Sequence, residues 1–157
     1  MGNRKMSPIK SIRKVELFLN MAMKRGEKYF VIAKFQLNTG LRIVDVLKTK
    51  VSDVFLPSMK FREYLTLKEK KTGKNKQIKL NDELKKCIKT YISNSNLKYD
   101  DFLFPGRNPE NHITYYQVWR VFTEIADKLI LENFATHSLR KTWGYFSYKA
   151  SKHNIAL

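Results

Sequence analysis

The stretch "EKYFVIAKFQLNTGLR", residues 27 to 42, decides the fold of this chain. Its apolar residues fall on nearly every side of a helix, a pattern typical of a helix buried at the centre of a domain. Gly40 predicts the end of that helix, because glycine readily adopts the left-handed conformation that closes a helix. A short second helix is predicted to open around Arg42 and to run through residues 43–50, "IVDVLKTK".

The residues on either side of this centre, up to residue 80, predict one more helix before it and two strands after it. Ser11 is a plausible N-cap for a first helix, and Gly26 ends it. Residues 61–67 and 76–80 alternate in the manner of strands, and the polar link between them carries Gly73. The pattern therefore predicts a β-hairpin with a lysine-rich turn.

The second half of the chain predicts three more helices. Asn81 is expected to cap the first of them. Thr114 and Gln117 form the T-x-x-Q pattern of a capping box ahead of the second. Thr136 or Ser138 caps the last helix. The predicted fold class is mainly α with a small antiparallel β-hairpin (α+β), and no linker divides residues 1–157 into more than one domain.

The charge of the chain indicates its partner. The 157 residues include 31 Lys and Arg against 14 Asp and Glu, which gives a formal net charge of +17. A folded domain with such self-repulsion is typically offset by a polyanion, and the usual polyanion is nucleic acid. A merely soluble, lysine-rich protein is the alternative. The single cysteine, Cys87, excludes an internal disulfide framework and a multi-cysteine zinc site.

Targeting signals are not recognisable in the chain. No run of apolar residues is long enough to span a bilayer, so no membrane partner is expected. The basic N-terminus lacks the pattern of a signal peptide, because Asn20 interrupts the short apolar patch that follows it. The expected compartment is the cytoplasm.

Three basic elements carry the functional signal: Arg42 after a helix break, the hairpin turn, and the pair His137 and Arg140. Residues three apart share a helix face, and in a first turn both can reach an anion near the exposed backbone N–H groups. Arginine binds phosphate through two parallel hydrogen bonds, and histidine can transfer a proton near neutral pH. Taken singly, each element is also explained by a solvated charged surface, or for Arg42 by an ion pair with Asp45.

Taken together, the three elements resemble the tyrosine recombinase (phage integrase) family. The matching sequence motifs are "NTGLRIVDVLKTKVSDV" at 38–54, "KEKKTGKNKQIKL" at 68–80, "FLFPGR" at 102–107 and "THSLRKT" at 136–142. They occur in the family's order and span most of the chain from about Ser7 onward. The resemblance implies the recombinase catalytic-domain fold and site-specific DNA strand cleavage and rejoining through a phosphotyrosine intermediate.

The resemblance also implies roles for individual residues. Arg42 and Arg140 would be the two arginines that clamp the scissile phosphate, and Asp45 would brace the first of them. Lys71 would be the general acid that protonates the departing 5′ oxygen, with Lys70 and Lys74 as alternatives. His137 would assist proton transfer at the nucleophile.

The implied partners are double-stranded DNA and further recombinase protomers assembled on it. Besides the catalytic groups, the basic residues expected to contact DNA are Lys70, Lys74, Lys76 and Lys141. The family uses no metal and no nucleotide cofactor, so no cofactor is expected. The isolated chain is expected to be a monomer in solution.

The nucleophile is the main departure from the family pattern. The family's tyrosine lies roughly thirty residues beyond the second arginine, a spacing that is itself only a motif-level expectation. Tyr145 and Tyr148 follow Arg140 too closely and are expected to pack or to touch DNA. The chain is therefore expected to lack the nucleophile segment, and also a separate N-terminal DNA-gripping domain, and to bind DNA without cutting it. A binding-only DNA protein, such as a decayed integrase or a regulator, and a basic RNA-binding domain are the alternative functions.

Overall fold

The computed structural model describes residues 6–68, 72–135 and 137–153, and within them the chain is mainly α-helical with one antiparallel hairpin, as predicted. The elements in chain order are α1 Ile12–Arg25, α2 Glu27–Thr39, α3 Ile43–Leu47, α4 Val51–Val54, β1 Tyr64–Lys68, β2 Asn75–Lys79, α5 Asp82–Ser93, α6 Tyr115–Lys128 and α7 Ser138–His153. None of the described helices is both long enough and apolar enough to cross a membrane.

Three of the predicted N-caps are confirmed. The side chain of Ser11 accepts a hydrogen bond from the backbone N–H of Lys14, and Asn81 accepts one from Leu84 at 2.9 Å. Thr114 accepts one from Gln117 at 3.2 Å. Each bond satisfies a backbone donor that the first turn of a helix leaves without an intrahelical partner, so these side chains fix where the helices begin.

Helix α2 lies at the centre of the fold, as its apolar sequence predicts. It contacts α1, α5 and α7, and Val31, Ile32, Ala33 and Phe35 are fully buried. A second apolar layer lies where α1 meets α6, with the rings of Phe18 and Phe122 packed edge to face at a centroid distance of 5.3 Å. Burial on all sides explains why α2 lacks the polar face of a surface helix.

The short helix after Arg42 ends earlier than predicted. It stops at Leu47, and a separate turn, α4, follows at Val51–Val54. The carbonyl of the buried Thr49 accepts a hydrogen bond from Leu103 N at 2.9 Å, and Val51 N donates to Asp101 O at 3.0 Å. Because these backbone groups bond to the loop around residue 102, they cannot continue the helical ladder, and the helix breaks.

The hairpin is confirmed, with boundaries that differ from the predicted 61–67 and 76–80. Strand β1 pairs antiparallel with β2 from Tyr64↔Lys79 to Lys68↔Asn75. Phe61 lies before the ladder and instead forms an isolated bridge with Phe55. The hairpin places Lys68 of β1 and Lys76 of β2 on the side of the fold that carries α3.

Helix α7 begins at Ser138, so Ser138 is its first residue and not its N-cap. The Ser138 hydroxyl accepts a hydrogen bond from Ala135 N at 2.8 Å, which ties the helix to the preceding loop. Thr136, the other predicted cap, lies outside the described residues.

The turn between α2 and α3 is set by a glycine. Gly40 has a φ of +68°, the left-handed conformation predicted for it, and its N–H donates to Gln36 O at 2.9 Å. The Trp143 side chain of α7 packs directly on its backbone, since a Cβ added at Gly40 would lie 2.3 Å from Trp143 Cε3. Glycine is therefore required here both by the backbone conformation and by the close approach of the indole.

We expect Gly40→Ala to destabilise the fold more than Gly73→Ala. Both glycines have positive φ, so alanine costs about 1–2 kcal/mol of backbone strain at either position. At Gly73 no described atom lies within 4 Å of an added Cβ, whereas at Gly40 the indole must move, which adds about 1–3 kcal/mol. Urea unfolding of the two variants measures the difference, and equal losses of stability would contradict the packing role of Gly40.

Candidate functional site

A cleft of about 500 Å³ opens between α3, the hairpin and the start of α7. Among the described residues, its charged lining consists of five basic side chains and two carboxylates: Arg42, Lys48, Lys68, Lys76, Arg140, Asp45 and Asp53. Gly40, Leu41 and Thr66 also line it. A cleft with this excess of basic side chains concentrates positive potential and favours an anionic ligand.

Arg42 reaches the cleft because the residues on either side of it are anchored in the core. Leu41 and Ile43 are both 4% exposed, while Arg42 itself is exposed. Arg42 is the N-cap residue of α3, and its carbonyl accepts hydrogen bonds from Asp45 N at 3.0 Å and Val46 N at 3.1 Å. These bonds hold the backbone of Arg42 in place while its side chain is exposed towards a ligand.

Arg140 reaches the same cleft from the first turn of α7, between the buried Leu139 and the exposed Lys141. Across the described part of the chain, neither Arg42 nor Arg140 has a carboxylate within ion-pair distance. Two arginines from distant parts of the sequence therefore share one cleft with their charges uncompensated by a close acid. An arginine pair of this kind suits a phosphate, whose oxygens accept bidentate hydrogen bonds.

His137 lies within the electrostatic influence of both arginines. Burial lowers the pKa of His137, and the positive charges of Arg140, Arg42 and Lys141 lower that pKa further. Its Nδ1 is buried and has no hydrogen-bond partner among the described residues. His137 is not among the described residues that line the cleft. A neutral imidazole within the electrostatic influence of two arginines is available as a proton acceptor.

Asp45 and the hairpin lysines occupy different positions relative to the cleft. Asp45 lines it beside Arg42, but in the described structure no ion pair joins the two side chains, so the bracing role of Asp45 stays a prediction. Lys76 lines the cleft from β2, whereas Lys74 lies in the exposed turn, where its N–H donates to Thr72 Oγ1 at 3.3 Å. Lys70 and Lys71 lie outside the described residues.

Lys141, predicted to contact DNA, has a contact within the protein. Its Nζ donates to the carbonyl of Met6 at 2.9 Å. The side chain is nevertheless exposed, and its charge acts on His137. Its contact with DNA stays a prediction.

Sequence reasoning missed three charged residues of the cleft, Lys48, Asp53 and Lys68, and its two threonines, Thr49 and Thr66. Helical spacing was the available signal for Lys48, because Asp45 and Lys48 are three apart and share a helix face. Lys68 is the first residue of the basic hairpin run. Asp53 and Thr66 carry no comparable signal, since only the packing of α4 against β1 brings them to the cleft.

The two tyrosines of α7 next to Arg140 were expected to pack or to touch DNA. The Tyr145 ring lies near two lysine ammonium groups, Lys10 Nζ at 5.8 Å and Lys149 Nζ at 5.1 Å from its centroid. Tyr148 is 65% exposed. No tyrosine is among the described residues that line the cleft.

Comparison with known proteins identifies the family of this chain. The model of the phage integrase family matches residues 13–151, which include Arg42, His137 and Arg140. The chain belongs to the phage integrase family. The resemblance to this family that the four sequence motifs indicated is thereby confirmed.

One relative and several solved structures are similar to this chain in sequence or fold. It is 30% identical over 145 residues to the probable integrase/recombinase YoeC of Bacillus subtilis (strain 168), a match covering 92% of the chain and 76% of YoeC. The fold is similar to that of DNA-bound lambda integrase residues 75–356, with a TM-score of 0.73 at 15% identity, covering 100% of the chain and 56% of that structure.

The fold is also similar to that of XerA recombinase, with a TM-score of 0.66 at 19% identity, covering 88% of the chain and 50% of XerA. These likenesses confirm the recombinase catalytic-domain fold. The chain spans about half the length of these two solved structures.

The lowered pKa of His137 predicts a loss of stability in acid. The unfolded chain binds a proton to this histidine near its ordinary pKa of about 6.5, whereas the folded chain does so only at lower pH. The free energy of unfolding should therefore fall as the pH drops below about 6.5. Unfolding of His137→Gln should show a weaker decline over that range, and an unchanged decline would contradict the assignment. For Arg140→Gln, the decline of the free energy of unfolding with falling pH is expected to lie between that of the original chain and that of His137→Gln.

Proposed function

We propose that this chain is the phosphate-holding part of a site-specific DNA recombinase, in which Arg42 and Arg140 clamp the scissile phosphate. The observation that carries the proposal is the meeting of both arginines at one cleft, with no described carboxylate paired to either. Membership of the phage integrase family supports it.

The clamp would act mainly in the transition state. Attack on a phosphodiester increases the negative charge on the non-bridging oxygens, and two fixed guanidinium groups stabilise that charge. Removing one such preorganised donor from an active site typically costs about 2.7–4 kcal/mol of transition-state stabilisation. Gly40 and the buried residues beside each arginine would supply the required rigidity.

The other predicted residues would move protons. A tyrosine oxygen attacks phosphorus, the bond from phosphorus to the 5′ oxygen breaks, and a 3′-phosphotyrosine bond forms. His137, kept neutral by its surroundings, would assist removal of the tyrosine proton. A hairpin lysine would protonate the departing 5′ oxygen; Lys71 is the proposed donor, with Lys70 and Lys74 as alternatives. Asp45 would hold Arg42 once the phosphate is bound.

Double-stranded DNA is the proposed ligand of this cleft. The chain has a net charge of +17, and the similar lambda integrase structure is described as bound to DNA. Most of the binding energy would come from contacts to phosphates, so the affinity should fall steeply with salt. Lys74, Lys76 and Lys141 would contribute such contacts. In the absence of DNA the isolated chain is proposed to be a monomer that meets further protomers only on the duplex.

A binding-only function is the second candidate for these 157 residues. The cleft has no tyrosine among its described lining, and Tyr145 is engaged with lysines. We therefore propose that the chain by itself binds DNA without forming a covalent phosphotyrosine. Incubation with a nicked duplex, followed by denaturing electrophoresis, should yield no protein–DNA adduct.

Substitution of the two arginines tests the clamp. In a recombinase that carries these residues together with a nucleophilic tyrosine, Arg42→Ala and Arg140→Ala should each lower covalent trapping on a nicked site by about 10²–10³-fold. In this chain each should reduce the slope of log affinity against log salt by about 1, because one phosphate contact is lost.

Arg13→Ala is the matched control, because Arg13 is exposed on α1 and does not line the cleft. It should leave covalent trapping unchanged. If the double variant of Arg42 and Arg140 still forms the adduct at the original rate, these residues do not clamp the phosphate. Equal loss of affinity on removing any basic residue would favour the RNA-binding or charge-only alternative.

Proton uptake gives an independent test of His137. A phosphate bound beside the arginines would offset the charges that lower the His137 pKa, so that pKa should rise on binding. By linkage, affinity for a mixed-sequence duplex should increase as the pH falls from neutrality towards the lowered pKa of free His137. Fluorescence anisotropy at constant ionic strength measures this, and His137→Gln should flatten the dependence. A parallel rise in the variant would place the titrating group elsewhere.

A further inference from the structure

The N-terminal segment, residues 6–9, lies across the region that carries His137 and Arg140. Ser7 N donates to Asn133 O at 3.1 Å, and Ile9 N donates to the Thr142 hydroxyl at 2.8 Å. The carbonyl of Met6 accepts the hydrogen bond from Lys141 Nζ. The segment is therefore bonded on both sides of the two site residues, at Asn133 before them and at Lys141 and Thr142 after them.

Thr142 is the centre of this connection. It is fully buried, and its hydroxyl accepts from Ile9 N while donating to Ser138 O at 2.7 Å. Ser138 is also fully buried and bonds to Ala135 N. One continuous chain of hydrogen bonds thus runs from Ile9 through Thr142 to Ser138 and the loop before it. It encloses the turn that contains His137 and Arg140 without bonding to either side chain.

We propose that Thr142 is a positioning residue, which transmits the anchoring of the N-terminal segment to the turn that carries His137 and Arg140. The turn matters because of the proposed function, and to that extent the inference rests on it. The residue that controls the geometry of the turn, Thr142, lies outside the cleft. The anchoring comes from Ile9, whose side chain is 3% exposed in the core.

The chemistry of the Thr142 site explains why a hydroxyl is needed. Only a group that donates and accepts at once can join the N–H of Ile9 to the carbonyl of Ser138. Valine has the same shape and offers neither, so it would leave Ile9 N–H without its partner inside the core. Serine keeps the hydroxyl and removes only a methyl group. The two substitutions therefore separate hydrogen bonding from packing.

Thr142→Val and Thr142→Ser, made in this chain, test the proposal. The first readout is the NMR titration of the His137 ring, whose pKa is lowered by burial and by Arg140, Arg42 and Lys141. The second is hydrogen exchange at Lys141 N, which donates to His137 O at 2.9 Å. In folded Thr142→Val we expect the His137 pKa to rise towards its ordinary value and the Lys141 exchange rate to increase at least about tenfold, a loosening worth about 1.4 kcal/mol.

Thr142→Ser should retain the original titration and exchange rate. The proposal is overturned if folded Thr142→Val leaves the His137 titration unchanged. It is equally overturned if the serine variant behaves like the valine variant, because packing would then explain both.

Ser7→Pro keeps the test decisive should Thr142→Val fail to fold. Proline removes the N–H that donates to Asn133 and leaves the buried residues intact. It should move the His137 pKa and the Lys141 exchange rate in the same directions by a smaller amount, and no movement would overturn the proposal. Neither readout involves DNA. A failure of the arginine variants to impair cleavage would refute the proposed function while leaving this coupling to be judged on its own result.

Discussion

The packing of Trp143 on the backbone of Gly40 is the contact on which the site depends. It joins the end of α2 to α7 at a distance that excludes any side chain at position 40. Arg42 follows that glycine by two residues and Arg140 precedes the indole by three, so one close contact fixes where both arginines start. The cleft thus depends on how α2 and α7 meet. Its two arginines lie just after the end of α2 and in the first turn of α7.

Holding these cations together has an electrostatic cost that the fold tolerates in the absence of a ligand. The arginines lie beside Lys48, Lys68 and Lys76 in one cleft, with two carboxylates as the described counter-charge. A bound phosphate would relieve that repulsion, which is the physical reason for proposing that the cleft binds a nucleic-acid backbone. His137 reports the same field through its lowered pKa.

Residues outside the cleft supply its rigidity. The loop around residue 102 interrupts the helix after Arg42 by taking its backbone hydrogen bonds, and the N-terminal segment holds the start of α7 through Thr142. Arg42 and Arg140 are thereby each fixed by a segment distant in the chain. Such support suits a site whose arginines must already be in position for the phosphate. A hydrogen-bond donor that has to move into place stabilises the developing charge less.

The sequence by itself determined the mainly helical class, the hairpin and three of the N-caps, and it singled out Arg42, His137 and Arg140 as the proposed functional set. These follow from local periodicity, from capping chemistry and from short motifs. Only the tertiary structure decided the break after Leu47, the inclusion of Asp53 in the cleft, and the bond from Ile9 to Thr142, 133 residues away. Those features depend on hydrogen bonds and contacts between segments distant along the chain, and local periodicity carries no record of them.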